Sequence, residues 1–298
     1  MSKEVVWLGY HGVVAVLRCL ILLALSAGLF AAMAQSSSEA MLNRAIELYR
    51  QGEVGQALKL ANEAIQKEPR DPTGYFVRAT VFESRQQYEP AMADYEHVAK
   101  MNPDLAMAYS RRGGLLFKMG RVEDSIADFD KEIELEPAKE KNHWQRGLSY
   151  YYAKRYQECA DQFELSFKVN PKDYENGIWH FLCRARIDGI EKARSAVLNV
   201  AGDERIPMKE VYDLYRGAGT AEDVMRAAEQ GYPDASELKD RLFYALLYVA
   251  AYEDVAGDRE SALRRLERAV SNFEIPHYMW DVARIHRDLL RAELKGSN

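Results

Sequence analysis

Metal and nucleophilic chemistry would fall to six histidines and three cysteines in this 298-residue chain. The one pair at a useful spacing is His180 and Cys183, three residues apart in a segment that reads as helix. That spacing places an imidazole and a thiol on one face, where they would form half of a metal site or a nucleophile with its base. The remaining ligands of such a site are not suggested nearby. A packed helix with a small apolar thiol accounts for the same residues, and no metal or cofactor is expected. Phosphate-binding loops, dinucleotide fingerprints, H-E-x-x-H, G-x-S-x-G and C-x-x-C are all missing from the sequence. Arg259, Arg264, Arg265 and Arg268 are interleaved with Glu260 and Glu267, which reads as a solvated helix face. No catalytic residue is assigned, and the chain is not expected to be an enzyme.

Composition narrows the remaining classes. Forty basic and 46 acidic side chains give a net charge of −6, so there is no basic excess to neutralise nucleic-acid phosphates. Lys3 and Arg18 precede an apolar run from Cys19 to Phe30, followed by Ala32-Met33-Ala34. This is the pattern of a secretory signal peptide cleaved after Ala34, with an uncleaved membrane anchor as the alternative. The expected location is periplasmic or secreted. Cys159 and Cys183 then lie in a compartment that permits disulfides. Both a disulfide and a plain buried thiol fit Cys159.

The elements that carry these residues are set by a repeat. Pro69, Pro103, Pro137 and Pro171 are each 34 residues apart. Twenty-four residues before each proline stands a small residue: Ala45, Ala79, Gly113, Gly147. Twelve before stands another: Ala57, Ala91, Ser125, Cys159. Eight before stand Ala61, Tyr95, Phe129 and Phe163. Each unit therefore reads as two helices with a short turn at Gln51-Gly52, Arg85–Gln87, Met119–Arg121 or Ala153–Arg155. Proline ends the second helix by forcing its predecessor out of the α region. Glu132 breaks the pattern five residues before Pro137 and is expected to be exposed or paired.

With four such periods the sequence resembles the tetratricopeptide repeat (TPR) family, which implies an all-α, right-handed solenoid of antiparallel helix pairs. The expected organisation is a signal peptide over 1–34, four repeats over 35–171, an irregular helical insert over 172–236, and a further repeat with a capping helix over 237–298. The insert reads as helices over Ile178–Arg186, Glu191–Asn199, Met208–Arg216 and Ala221–Glu229, and the last part as Arg241–Val255, Arg259–Ser271 and Tyr278–Leu294.

The layout also resembles the bacterial NlpI lipoprotein family through Trp179–Arg186, Phe243–Tyr248 leading into Gly257-Asp258, and Ala262–Val270. That resemblance implies a dimerising envelope adaptor that brings cell-wall hydrolases or proteases together. The lipid-attachment cysteine of that family has no counterpart here.

In stacked pairs the first helices line the concave face. The inward positions are then Ile46 and Tyr49; Phe76 and Thr80; Ser110, Gly114 and Phe117; and Trp144, Leu148, Tyr151 and Tyr152, with Lys118 at the edge. Such an aromatic groove suits a protein or peptide partner. The expected function is a non-enzymatic scaffold. The competing classes are a metal- or thiol-dependent protein using His180 and Cys183, and a self-assembling subunit such as a homodimer. The export reading has a direct check: intact-mass measurement of protein from its native host should give an N-terminus at Gln35, and a mass that includes residues 1–34 would favour the anchor.

Overall fold

The structure is a computed structural model that describes residues 37–296 except 201, 203, 232 and 233; the expected cleavage point after Ala34 lies outside them. Among the described residues there is helix and no strand. The chain divides after Asp104 into two compact units.

The first unit holds two helix pairs, α1 (residues 37–50) with α2 (Val54–Lys67) and α3 (Pro72–Ser84) with α4 (Tyr88–Met101). The second opens with two more, α5 (Ala106–Lys118) with α6 (Val122–Leu135) and α7 (Trp144–Tyr152) with α8 (Tyr156–Val169), a 3₁₀ turn over Pro137–Asn142 separating them. There follow α9 (Tyr174–Asp188), α10 (Ile190–Ser195), α11 (Met208–Tyr215) and α12 (Ala221–Glu229). The chain ends in α13 (Ala235–Ala256), α14 (Arg259–Asn272) and α15 (Tyr278–Gly296).

The repeat is visible in the backbone itself. Gly52, Gln86, Gly120 and Lys154, each 34 residues apart, all adopt positive φ, between 57° and 82°. This left-handed residue lets the next amide reach back to the first helix: Glu53 to Leu48 O, Gln87 to Phe82 O, Arg121 to Leu116 O, Arg155 to Tyr150 O, at 2.8–3.0 Å. At the far end of each pair, Glu68, Asn102, Glu136 and Asn170 precede the prolines with φ near −130° and ψ of 72–79°, outside the helical region.

Packing within a pair depends on the small residues. A Cβ on Gly113 would lie 2.8 Å from the Phe129 ring, and one on Gly147 would lie 2.7 Å from Phe163. Between successive pairs, the small second-helix position meets a residue 24 positions on. Ala57 and Val81 share an apolar cluster, the Ser125 and Ser149 hydroxyls hydrogen-bond at 3.0 Å, and Cys159 is disulfide-bonded to Cys183, Cα atoms 6.0 Å apart. Polar contacts follow the same period. Arg78 bonds Asp94 and Arg112 bonds Asp128, both bidentate at 2.7–2.8 Å, while Arg146 meets Gln162 and turns to Asp130 at 2.9 Å.

After α8 the pattern changes. The last turn expected for α10 is instead extended chain, held by the Tyr212 hydroxyl, which accepts from Val200 N and donates to Leu198 O. α13 starts earlier than expected because Asp234 caps it, accepting from Ser236 N and Glu237 N at 2.9 Å. Nearly every residue from Leu242 to Ala251 is buried, since α9, α11, α12 and α14 all pack on this one helix. No helix among the described residues is long and apolar enough to cross a membrane.

The packing role of Gly147 can be measured. Gly147→Leu must displace the buried Phe163 ring, so urea denaturation should show a loss of ~1–3 kcal/mol. Gly55→Leu serves as control: no neighbour stands within 4 Å of its Cβ, and its stability should be unchanged or higher.

Candidate protein-binding groove

The expected groove residues divide between the two units and fare differently in each. In the first, Ile46 and Tyr49 on α1 and Phe76 on α3 are half-buried. Ile46 and Leu42 line an open cleft of about 880 Å³ beside the α2–α3 turn, rimmed by Glu39, Glu68, Arg70 and Asp71. Phe76 rests its ring edge-on against Tyr95 at 5.7 Å, and the Thr80 hydroxyl donates to Phe76 O, so Thr80 supports the anchor.

In the second unit the expectation of accessible anchors needs correction. Phe117, Leu148, Tyr151 and Tyr152 are buried: α15 lies against Phe117 and Tyr152, and Tyr151 packs on Trp179 and Tyr156. The sequence suggests a helix over the open end of the solenoid; instead α15 occupies the concave face. Tyr278 stacks on Phe117 at 5.2 Å and meets Trp144 edge-on at 5.3 Å. The His286 ring stands edge-on to Tyr152 at 5.8 Å. Lys118 pairs with Asp281 at 3.7 Å, its ammonium over the Tyr278 ring, and its carbonyl accepts from Arg284. Gly114 has Tyr278 as a neighbour, and Ser110 is half-buried. Trp144, like Ser110 and Lys118, stays half-buried, and it is the one aromatic of this set that does.

A buried polar cluster holds the far end of α15. Asp254 on α13 accepts from His286 Nε2 at 2.9 Å and from Arg186 on α9. Burial opposes the Asp254 charge, but His286, Arg186 and Arg259 outweigh it and hold the carboxyl below its ordinary range. Arg186 also donates to the Tyr151 hydroxyl, and Lys154 and Arg259 both reach Glu293. Arg259 and Arg265 therefore tether neighbouring helices, Arg265 through Glu253 at 2.9 Å. Arg264 and Arg268 stand on the exposed face that the sequence suggests for all four.

The alternative chemistry at His180 loses its second group. The Cys183 sulfur is bonded to Cys159 and is not free as a thiolate. Burial pushes His180 below its ordinary pKa, and among the described residues no cluster of three or more metal-ligating side chains is present.

Residues 42–96 match the tetratricopeptide repeat family. The chain is similar to a tetratricopeptide repeat protein from Parabacteroides merdae, with 15% identity over 86% of this chain and 99% of that one, at a TM-score of 0.56. It is also similar to MamA from Desulfovibrio magneticus RS-1, with 18% identity over 53% of this chain and 89% of that one, at a TM-score of 0.50. The fold is that of tetratricopeptide repeats. Its consecutive helix pairs suit a protein-binding scaffold.

Sequence reasoning missed Tyr278, Asp281, His286, Arg186 and Asp254. α15 carries an apolar stripe through Met279, Val282, Ala283, Ile285 and Leu290, a visible signal, but its seat is a long-range contact that no period encodes. Phe117 is consequently a core residue. Phe117→Ala should cost ~3–5 kcal/mol in calorimetric unfolding; an unchanged melting temperature would mean that α15 does not cover it.

Proposed function

We propose that this chain is an exported, non-enzymatic scaffold of the bacterial cell envelope that binds protein partners through its concave face. The observation that carries this reading is the contrast between the two units. The second fills its own groove with α15, whereas in the first Ile46, Tyr49 and Phe76 keep apolar surface open to solvent. Half-exposed aromatic anchors beside a polar rim are what a partner needs.

The Cys159–Cys183 disulfide supports a periplasmic or secreted location, because such bonds persist in oxidising compartments. It agrees with cleavage after Ala34; membrane attachment would require that the N-terminal segment stay uncleaved. The phrases shared with the NlpI lipoproteins support a role in recruiting cell-wall hydrolases or proteases, and sizing in solution tests the homodimer.

The experiment is capture from envelope extracts by immobilised mature protein. Tyr49→Ala combined with Phe76→Ala should abolish capture, since truncating true anchors costs ~2 kcal/mol or more each. Lys59→Ala, whose side chain is 77% exposed, should leave it intact. Circular dichroism must show the same helicity in all three proteins. Equal capture by the double variant would remove the first unit's groove as the binding surface.

A further inference from the structure

The seat of α15 has a counterpart in the first unit. Three residues of the α5–α7 groove hold the first turn of α15. Phe117 and Trp144 both contact the Tyr278 ring, at 5.2 and 5.3 Å. Lys118, the last residue of α5, pairs with Asp281 at 3.7 Å and lays its ammonium 5.7 Å from the centre of the Tyr278 ring. Two periods earlier, at the same places on α1 and α3, stand Tyr49, Arg50 and Phe76. The chemistry is kept at each: aromatic for Phe117, aromatic for Trp144, and a cation for Lys118, again at the last residue of its helix.

What differs is exposure. Phe117 is fully buried, whereas Tyr49 and Phe76 are half-buried and Arg50 is exposed. Among the described residues no acid pairs with Arg50. The other inward positions limit what this groove can read. A Cβ on Gly114 would lie 3.8 Å from the Tyr278 ring, and Ile46 stands at that place in the first unit. A guest ring there rests further out, on the Ile46 side chain. Exposed Ser84 stands in the place of Tyr152, which meets His286 two turns along α15. The first unit therefore grips a helix by one turn, through two side chains spaced i, i+3 as Tyr278 and Asp281 are.

We propose that the first unit's groove takes a helix of a partner protein that carries an aromatic residue and, three positions later, an acid. The aromatic ring lies between Tyr49 and Phe76. The acid pairs with Arg50, whose guanidinium also covers the ring. A second copy of this chain is a poorer occupant, because its own Tyr278 and Asp281 are already engaged by Phe117, Trp144 and Lys118. The proposal rests on the reading that the first unit binds proteins through this face. It adds the helical form of the partner and the two side chains that select it.

α15 itself supplies the probe. A fluorescein-labelled peptide of residues 276–296 is titrated with the mature full chain and followed by anisotropy. A lactam between positions 287 and 291 (Arg287→Lys, Arg291→Glu) keeps it helical, since an isolated helix of this length is marginal in water. The peptide should bind, and Tyr278→Ala in the peptide should weaken binding at least about tenfold. Arg50→Glu in the protein should weaken the original peptide by about tenfold and bind the Asp281→Lys peptide better than the unaltered protein does. That reversal places the peptide in the first unit, because docking beside Lys118 would be indifferent to residue 50. Circular dichroism establishes that the Arg50→Glu protein is folded. No binding at millimolar concentration overturns the assignment, as does equal binding of the original peptide by the Arg50→Glu protein. So does a dimer in sedimentation that Arg50→Glu dissociates, which would make a second copy the occupant. The capture experiment with Tyr49→Ala and Phe76→Ala is independent of the peptide. Capture lost there while the peptide fails to bind leaves the groove reading standing and removes the helix with its acid.

Discussion

Where Phe129 crosses Gly113 and Phe163 crosses Gly147, a second helix approaches a first helix at a residue with no side chain. The spacing of each pair follows from that approach, because both rings are buried and cannot yield. Ala45 and Ala79 hold the equivalent places in the first unit, fully buried. Once a pair is set, its outer apolar face must find the next pair, and the contact 24 residues ahead shows how flexible the chemistry there can be. Ala57 with Val81 is apolar, Ser125 with Ser149 is a hydrogen bond, and Cys159 with Cys183 is covalent. One geometric position accepts three kinds of bond because only its size is fixed by the fold.

The second constraint is the seat of α15. Met279, Val282, Ala283, Ile285 and Leu290 are all buried, and burial at ~1.5–3 kcal/mol per large apolar side chain makes this contact worth on the order of 10 kcal/mol as an upper estimate. The Asp254 cluster and the Lys118–Asp281 pair fix its register along the groove. Micromolar binding supplies about 8 kcal/mol, a sum of the same order, so a partner that displaced α15 would give up most of what it gained. The second unit's aromatic groove is thus part of the core, and binding falls to surfaces that α15 leaves open.

The repeat was legible because it is local and periodic. Prolines, turns and small residues sit at fixed offsets, and each has a backbone or packing reason to be there. The Arg78, Arg112 and Arg146 series and its partners Asp94 and Asp128 follow the same 34-residue spacing and could have been read the same way. Placement of α15 could not. Its sequence states that one face must be buried but not against what, and the inward-facing residues of α5 and α7 present the same aromatic pattern whether they await a partner or hold a helix of their own. The boundaries of α10 and α13 were likewise set by single contacts, the Tyr212 hydroxyl and the Asp234 cap, outside any period.

Departures from the period also shape the groove. Glu132 replaces the residue that is Ala64 in the first pair, and it is buried to 1% exposure. Burial alone would raise its pKa, yet hydrogen bonds from His143 and Lys139 prevail and keep the carboxyl below its ordinary value. His143 can donate through Nε2 to Glu132 because its Nδ1 accepts from Arg146 N, which makes it the N-cap of α7. Trp144, the next residue, is the second unit's one half-exposed groove aromatic, and it walls an open cleft. A charged side chain that looks like an error in the repeat therefore fixes the start of the helix that presents this ring, through the single buried hydrogen bond between Glu132 and His143.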